Sequence, residues 1–294
     1  MTARIVVGYT ATDAGEDALA LATRLAVASS SELDVVMVLP SDERSVITPP
    51  DAGYDRYLRE TADTWVAKAA EAIGGAVVHR GHVRYAESFA EGLVAAADEF
   101  EATHIVVGAA NGGLRGRHRL GTVATELMHY SDVPVVLAPE GSRTVPVDSG
   151  VSRFTAAIGT RPGNDVLLAE AVQLSSTTGA RLRLLSLATV DLPAGVDTGI
   201  IRLTGSAHSD AVLAQARAAL PAGLEADVLV AEGESIEDAV AQISWEPDEI
   251  AVVGSSRLAQ HRRLFLGSTA AKMLHVLPVP MIVVPRTRSA EGAR

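Results

Sequence analysis

The chain has 294 residues, a formal net charge of −11, no cysteine and only 4% aromatic residues. Its length fits two domains of about 150 residues. The acidic balance argues against binding to nucleic acid or to anionic membranes, and the lack of cysteine excludes disulfides and thiol chemistry. No apolar run reaches the roughly 18 residues of a membrane span and a strand-like run begins at Arg4, so we expect no signal peptide and a cytoplasmic protein.

The first half is predicted to alternate strands and helices. Short runs of Val, Ile and Leu that end at Gly or Pro indicate buried strands, and apolar residues at three- and four-residue steps indicate helices. Ser88 with Glu91 has the pattern of a capping box at a helix start. We predict strands at 5–7, 33–39, 76–83, 104–107 and 134–137, and helices at 15–29, 57–73, 88–100 and 122–130.

The second half repeats this order. We predict strands at 155–158, 182–187, 225–230, 249–253 and 281–284, and helices at 165–177, 208–220, 236–245 and 269–276. The alternation predicts an α/β fold of two doubly wound domains, each with a parallel sheet and helices on both faces. The expected divisions are a first domain at 1–139, a linker at 140–152, a second domain at 153–286 and a tail at 287–294.

A glycine-containing motif occurs once in each half. Ile105-Val106-Val107-Gly108 recurs as Ala251-Val252-Val253-Gly254, and a second glycine with a small hydroxyl residue follows 13 positions later, as Gly121-Thr122 and Gly267-Ser268. Both glycines are displaced by 146 positions between the copies, since 254 − 108 = 146 and 267 − 121 = 146. Glycine lets the backbone approach a ligand, and a helix N-terminus favours a phosphate. The hydroxyl of Thr122 or Ser268 can either cap the helix or donate to a phosphate oxygen.

Each half resembles the universal stress protein family, and the whole chain resembles the tandem form with two such domains. The resemblance covers about residues 1–139 and 153–286. It implies five parallel strands in the order 3-2-1-4-5, the pattern G-x-x-G, nine residues, then G-[S/T], and an acidic residue after the first strand. The strand order reverses between strands 1 and 4, and a ligand would bind beyond the carboxyl ends of those strands.

The chain departs from this pattern at two positions of each half. The second glycine is replaced by Asn111 in one copy and by Arg257 in the other. Asn tolerates the left-handed conformation, whereas Arg257 either strains the turn or supplies charge to a phosphate. The acidic position falls on Thr10 and on Gly159, or on residue 160 if the register slips by one. We therefore expect the first half to retain the better site.

The motif and its departures define one set of candidate binding residues. These are Thr10, Gly108, Asn111, Gly121, Thr122, Gly159, Gly254, Arg257, Gly267 and Ser268. Basic residues in the two glycine loops form either an anion-attracting rim or a solvated loop. They are Arg115, Arg117, His118 and Arg119, and His261, Arg262 and Arg263.

The resemblance implies a regulatory ligand-binding protein. No GxSxG, HExxH, P-loop or Rossmann GxGxxG pattern is present, so we expect no catalytic residues, no metal site and at most slow, incidental ATP hydrolysis. The implied ligand is an adenine nucleotide, ATP with or without Mg²⁺, whose phosphates order the glycine loops and bias a surface for an unknown protein partner. Two alternatives remain open: an interaction protein that binds no nucleotide, and a protein that binds another small ligand in the same cleft.

The fifth strand of each half is a candidate for edge-to-edge pairing. Residues 133–139 and 279–285 can pair within the chain, giving a dimer-like monomer, or between chains in a homodimer. Each segment has two prolines, which limit backbone pairing at those positions.

Overall fold

Strands and helices alternate along both halves of the chain. The structure is a computed structural model that describes residues 2–41, 52–109, 121–159, 163–189, 198–255 and 267–285. The first half contains β1 (Arg4–Gly8), α1 (Asp13–Ser29), β2 (Glu32–Pro40), α2 (Ala52–Ile73), β3 (His79–Ala86), α3 (Phe89–Glu99), β4 (His104–Gly108), α4 (Thr122–Tyr130) and β5 (Val135–Ala138). The second half contains β6 (Arg153–Ala157), α5 (Asn164–Thr178), β7 (Arg181–Thr189), α6 (Thr198–Ala218), β8 (Ala226–Gly233), α7 (Ile236–Ala241), β9 (Ile250–Gly254), α8 (Ser268–Val276) and β10 (Met281–Val284).

The strands of both halves form one continuous sheet. Its order is β3-β2-β1-β4-β5-β10-β9-β6-β7-β8, so each half has the predicted order 3-2-1-4-5. Strands within each half pair in parallel, and β5 pairs with β10 antiparallel, with Val136 opposite Ile282. Of the two predicted pairings, the one within the chain is therefore present. The prolines at 134, 139, 280 and 285 flank the paired residues, where they leave the ladder intact.

Helices cover both faces of this sheet, and each face has one core that spans both halves. Successive residues of β1 show why: the side chains of Ile5 and Val7 belong to one core and that of Val6 to the other, because strand side chains alternate between faces. The first core includes residues of α1, α2, α5 and α6, and the second includes residues of α3, α4, α7 and α8. The predicted α/β class is confirmed.

Six predicted boundaries were wrong by more than two residues. Helix α6 begins at Thr198 instead of 208, α2 at Ala52 instead of 57, and β3 at His79 instead of 76. Strand β3 ends at Ala86 instead of 83, β8 at Gly233 instead of 230, and α7 at Ala241 instead of 245. The first ten residues of α6 contain two glycines and several β-branched residues, whose weak helix propensity hides a helix from sequence patterns. Beyond α7, the indole N–H of Trp245 donates to the carbonyl of Val240 at 3.3 Å, which folds the chain back on the helix end.

The segment between the halves is docked on α1. It contains two short 3₁₀ turns, Ser142–Thr144 and Val147–Ser149. The buried carboxylate of Asp17 accepts hydrogen bonds from the amides of Gly141 (3.1 Å) and Arg143 (2.9 Å). The Arg143 guanidinium donates to the carboxylate of Asp13 at 3.0 Å, and this bond lowers the pKa of Asp13. None of the described helices is long and apolar enough to cross a membrane.

Candidate functional site

A cavity of about 270 Å³ lies at the carboxyl ends of the second half's central strands. It is bounded by the ends of β6 and β9, the neighbouring strands between which the strand order of this half reverses. Parallel α/β sheets bind ligands in the crevice at this point of reversal. The first residues of α8 and one face of α6 complete its walls.

The described lining of this cavity combines apolar residues with a few polar ones and carries no carboxylate. Its polar side chains belong to Asn164, Ser186, His208, Ser209, Ser255 and Thr269. None of the described residues that line it is Asp, Glu, Lys or Arg. The buried hydroxyl of Ser255 has no hydrogen-bond partner within the described part of the chain. Because buried polar atoms in folded proteins are nearly always paired, this hydroxyl is a candidate ligand contact.

The N-terminus of α8 faces this cavity with free backbone donors. The N-cap residue is Gly267, with φ −66° and ψ 160°, and no side chain among the described residues caps the helix. The first intrahelical bond runs from the amide of Ala271 to the carbonyl of Gly267 at 2.8 Å, so the preceding amides of the helix have no intrahelical acceptor. Together with the helix dipole, these amides favour an anionic group.

The N-cap role considered for Thr122 and Ser268 is wrong. Gly121 and Gly267 are the N-cap residues, and the two hydroxyl residues occupy the first helical position, exposed to solvent. Of the first α8 residues, Thr269 and Ala270 line the cavity together with Gly267. The helix start is therefore glycine-capped in both halves, which leaves the backbone amides available.

The connection between the first strand and the first helix is longer in the second half. Six residues, 158–163, separate β6 from α5, whereas four residues, 9–12, separate β1 from α1. Gly159 lines the cavity, and the side-chain amide of Asn164 donates to the carbonyl of Gly159. Gly254 also lines it, and among the described residues a Cβ added there would meet only the Leu167 side chain, at 4.0 Å.

In the first half, the start of α1 lies against the corresponding glycine. A Cβ added at Gly108 would lie 2.1 Å from the carbonyl oxygen of Ala14, so the glycine there accommodates the helix backbone. Thr10 contributes to the same helix start, because its hydroxyl lies 2.9 Å from that of Thr12, the N-cap of α1. Among the described residues, the motif glycine therefore borders a cavity in the second half and the backbone of α1 in the first.

The structure brings three of the ten candidate residues together around one cavity: Gly159, Gly254 and Gly267. Thr10 and Gly108 lie at the start of α1 in the first half. Asn111 and Arg257 lie outside the described residues, as do all the basic residues of the two glycine loops.

Sequence reasoning missed the polar side chains on α6. His208 was expected at or near a helix start, but ten residues of α6 precede it, and it lines the cavity beside the buried Ser209. Ser255 could have been found, since it directly follows the motif glycine Gly254. The α6 residues could not, because their position depends on how the helix packs against β7 and β8.

The described residues provide no obvious metal site. No group of three or more His, Asp or Glu side chains among them could hold a metal ion. An Mg²⁺ ion bound with a nucleotide in this cavity would therefore depend on the phosphates for its anionic ligands.

The family model described as the universal stress protein family matches residues 1–139 and 151–285. The chain belongs to this family, and it carries two of its domains. A universal stress protein of Mycobacterium bovis and one of Mycobacterium tuberculosis are each 28% identical to it, over 96% of this chain and 99% of theirs.

Solved structures show the same fold. A universal stress protein from Archaeoglobus fulgidus is similar over 97% of this chain and 98% of its own, with a TM-score of 0.67 and 18% identity. A putative universal stress protein from Pseudomonas aeruginosa covers 97% of this chain and 93% of its own, with a TM-score of 0.60 and 14% identity. At these identities the likeness concerns the fold alone.

Proposed function

We propose that this protein binds an adenine nucleotide, ATP in the first place, as a regulatory ligand in the cavity of its second half. The observation that carries the proposal is the set of backbone groups at this cavity: Gly159, Gly254 and Gly267 at the reversal of strand order, with the open N-terminus of α8 among them. Such an arrangement suits phosphates, which bind backbone amides at helix N-termini.

The electrostatics of the lining support an anionic ligand. No described lining residue would repel a phosphate, and the hydroxyl of Ser255 supplies a buried donor that lacks another partner among them. The apolar residues around it, such as Leu167 and Val212, suit the flat face of a base. The volume of about 270 Å³ lies just below the usual range of small-molecule pockets, roughly 300–1,000 Å³.

The proposed role is regulatory because the described cavity residues form no recognisable catalytic set. A nucleotide in this position would contact the ends of β6 and β9, the start of α8 and the buried face of α6 at once. It would therefore hold four elements in one arrangement and stabilise that arrangement over others. The proposal places the ligand in the second half because the motif glycine of the first half lies against the backbone of α1.

Titration of the full chain with ATP, with and without Mg²⁺, tests this function by calorimetry and by thermal unfolding. ATP at about 100 times its Kd should add about 2.7 kcal/mol to the free energy of unfolding. Gly267→Val should weaken binding by about tenfold or more, because a branched side chain would obstruct the approach to the α8 amides. The backbone angles of Gly267, φ −66° and ψ 160°, are accessible to valine, so this variant should fold.

The matched control is Gly121→Val, at the same position of the other repeat. It should leave ATP binding unchanged, because the proposed site lies only in the second half. Absence of any response at millimolar ATP would refute nucleotide binding and favour the interaction-protein alternative. Equal losses in the two variants would refute the placement of the site.

A further inference from the structure

Arg24 is a fully buried cation that lacks a hydrogen-bond partner in the part of the chain that the structure describes. It lies on α1 with 1% of its surface exposed, and its Nε, Nη1 and Nη2 atoms have no partner among the described residues. Burial lowers the pKa of Arg24, and the charge of Asp248 opposes this effect from a distance. Because a guanidinium remains charged in proteins, an isolated one in the interior is costly unless an anion compensates it.

Arg24 borders a cavity of about 400 Å³ between the two halves of the chain. One wall is the docked segment between the halves, from Pro139 to Val145, and the other belongs to the second half, where Pro247, Pro278 and Pro280 precede β9 and β10. The cavity therefore lies where the end of β5 meets the start of β10. A group bound there would touch α1, the connecting segment and the second half simultaneously.

Comparison of the two repeats shows that the second has no arginine at the position that corresponds to Arg24. The first strand and first helix of the two halves are displaced by 149 positions, since 153 − 4 = 149 and 178 − 29 = 149. Arg24 therefore corresponds to Gln173, which is exposed to solvent. The first helix of the second half, α5, instead carries the buried Glu170. Its carboxylate Oε1 lies 3.2 Å from the Nε2 of His104 on β4 in the first half, so a histidine lies beside this acid.

We propose that the cavity beside Arg24, here called the Arg24 cavity, binds a small oxyanion such as inorganic phosphate or sulfate. The planar guanidinium donates two parallel hydrogen bonds to such an anion, which would supply the missing counter-charge. The proposal is independent of the nucleotide site, which lies at the opposite ends of β9 and β10.

The neighbouring charged groups are already occupied or face solvent. Asp248 accepts the hydroxyl of Ser152 at 2.6 Å, Arg143 is bound to Asp13 and Glu16, and Glu140 is exposed. The nitrogens of Arg24 are shielded from water, so binding requires the guanidinium or the connecting segment to move slightly. The bound anion would then tie that segment to α1 and to the second half.

Thermal unfolding of the full chain in sodium phosphate, against sodium chloride of equal ionic strength, tests the Arg24 cavity. Phosphate should raise the Tm of the natural protein. In the Gly267→Val background, which weakens phosphate binding at the α8 amides, Arg24→Met should abolish the remaining rise, corresponding to about 10-fold to 100-fold weaker binding. Arg24→Met should fold, because methionine retains the apolar stem and removes an uncompensated charge. Arg217→Met removes an exposed arginine of α6 and should keep the full response.

Further measurements separate this site from the proposed nucleotide site and from folding defects. Gly267→Val should keep the part of the phosphate response that depends on Arg24, because the α8 amides, which can bind phosphate themselves, lie at the opposite ends of the strands. In the unaltered chain, hydrogen exchange of residues 139–145 should slow when phosphate is added. A Tm rise no larger in phosphate than in chloride, an undiminished rise in Arg24→Met, or unchanged exchange of this segment would each overturn the proposal.

Discussion

At the residue scale, the two copies of one motif glycine have different surroundings. Gly108 and Gly254 both end the fourth strand of their repeat. Gly108 lies against the backbone of Ala14, whereas Gly254 borders the cavity of the second half. The same residue at the same spacing therefore serves helix packing in one half and leaves space for a ligand in the other.

This difference predicts that alanine substitution lowers the free energy of unfolding at Gly108 but hardly changes it at Gly254. Gly108→Ala should lower the free energy of unfolding by about 1–3 kcal/mol, because its Cβ would lie 2.1 Å from backbone that no side-chain rotation can move. Gly254→Ala should change it by no more than about 0.5 kcal/mol, since the nearest atom among the described residues lies 4.0 Å away. Urea unfolding of both variants measures the difference. Equal destabilisation would show that the second-half position is as tightly packed as the first.

At the element scale, a buried charge network joins the starts of three strands in the second half. Glu249, directly before β9, accepts hydrogen bonds from Arg153 of β6 at 2.7 Å and from Arg183 of β7 at 2.6 Å. The bond to Glu249 raises the pKa of Arg153, while burial lowers that of Arg183 in spite of the same carboxylate. Thr155 also donates to Glu249.

The first half also has buried charged residues at the starts of its strands, but its buried acidic residue lies at a different position of the repeat. Arg4 corresponds to Arg153, but the second-strand position holds Asp34, which binds Arg4 at 2.8 Å and His82 at 2.8 Å. In the second half the corresponding position is Arg183, and the carboxylate that it binds belongs to Glu249, directly before the fourth strand of that half. Each half thus has its own compensated set of charges at the amino ends of its strands.

Removing the charge of Glu249 should therefore be costly. Glu249→Gln should lower the free energy of unfolding by about 3 kcal/mol or more, because the buried carboxylate that binds both Arg153 and Arg183 loses its charge, although Arg153 retains Glu246 at 3.2 Å. A control in the first half, Glu99→Gln, should cost less than about 1 kcal/mol, since that exposed carboxylate pairs with the partly exposed Arg84. Urea unfolding followed by circular dichroism measures both. Similar small costs would mean that water reaches the network.

At the scale of the whole molecule, the two halves share one sheet and both cores. The antiparallel pair of β5 and β10 joins the sheets, and the apolar cluster on each face includes residues of both halves. Separate unfolding of one half would expose the edge of β5 or β10 and much of each core. We therefore expect a single cooperative unfolding transition.

The two tryptophans of the chain provide one probe in each half, Trp65 and Trp245. Fluorescence of the Trp245→Phe variant reports on the first half, and that of Trp65→Phe reports on the second. If unfolding is cooperative, each variant should show the same urea midpoint by fluorescence as by circular dichroism. A fluorescence midpoint that differs from the circular dichroism midpoint of the same variant would show that the halves unfold independently.

The sequence by itself determined the α/β class, the tandem repeat, the strand order of each half and the family. These properties follow from local signals: alternating apolar runs, the displacement of 146 positions between the motif glycines, and the resemblance that those motifs carry. Local signals also located most helices and strands, but they failed for the glycine-containing start of α6.

Only the tertiary structure decided what surrounds the motif glycines and Arg24. The spacing of the motif glycines is identical in the two halves, so it could not reveal that Gly108 lies against the backbone of α1 while Gly254 borders a cavity. The pairing of β5 with β10 likewise creates the Arg24 cavity from segments more than a hundred residues apart. Short-range patterns encode which elements form, whereas burial, charge compensation and open space depend on what other parts of the chain place beside a residue.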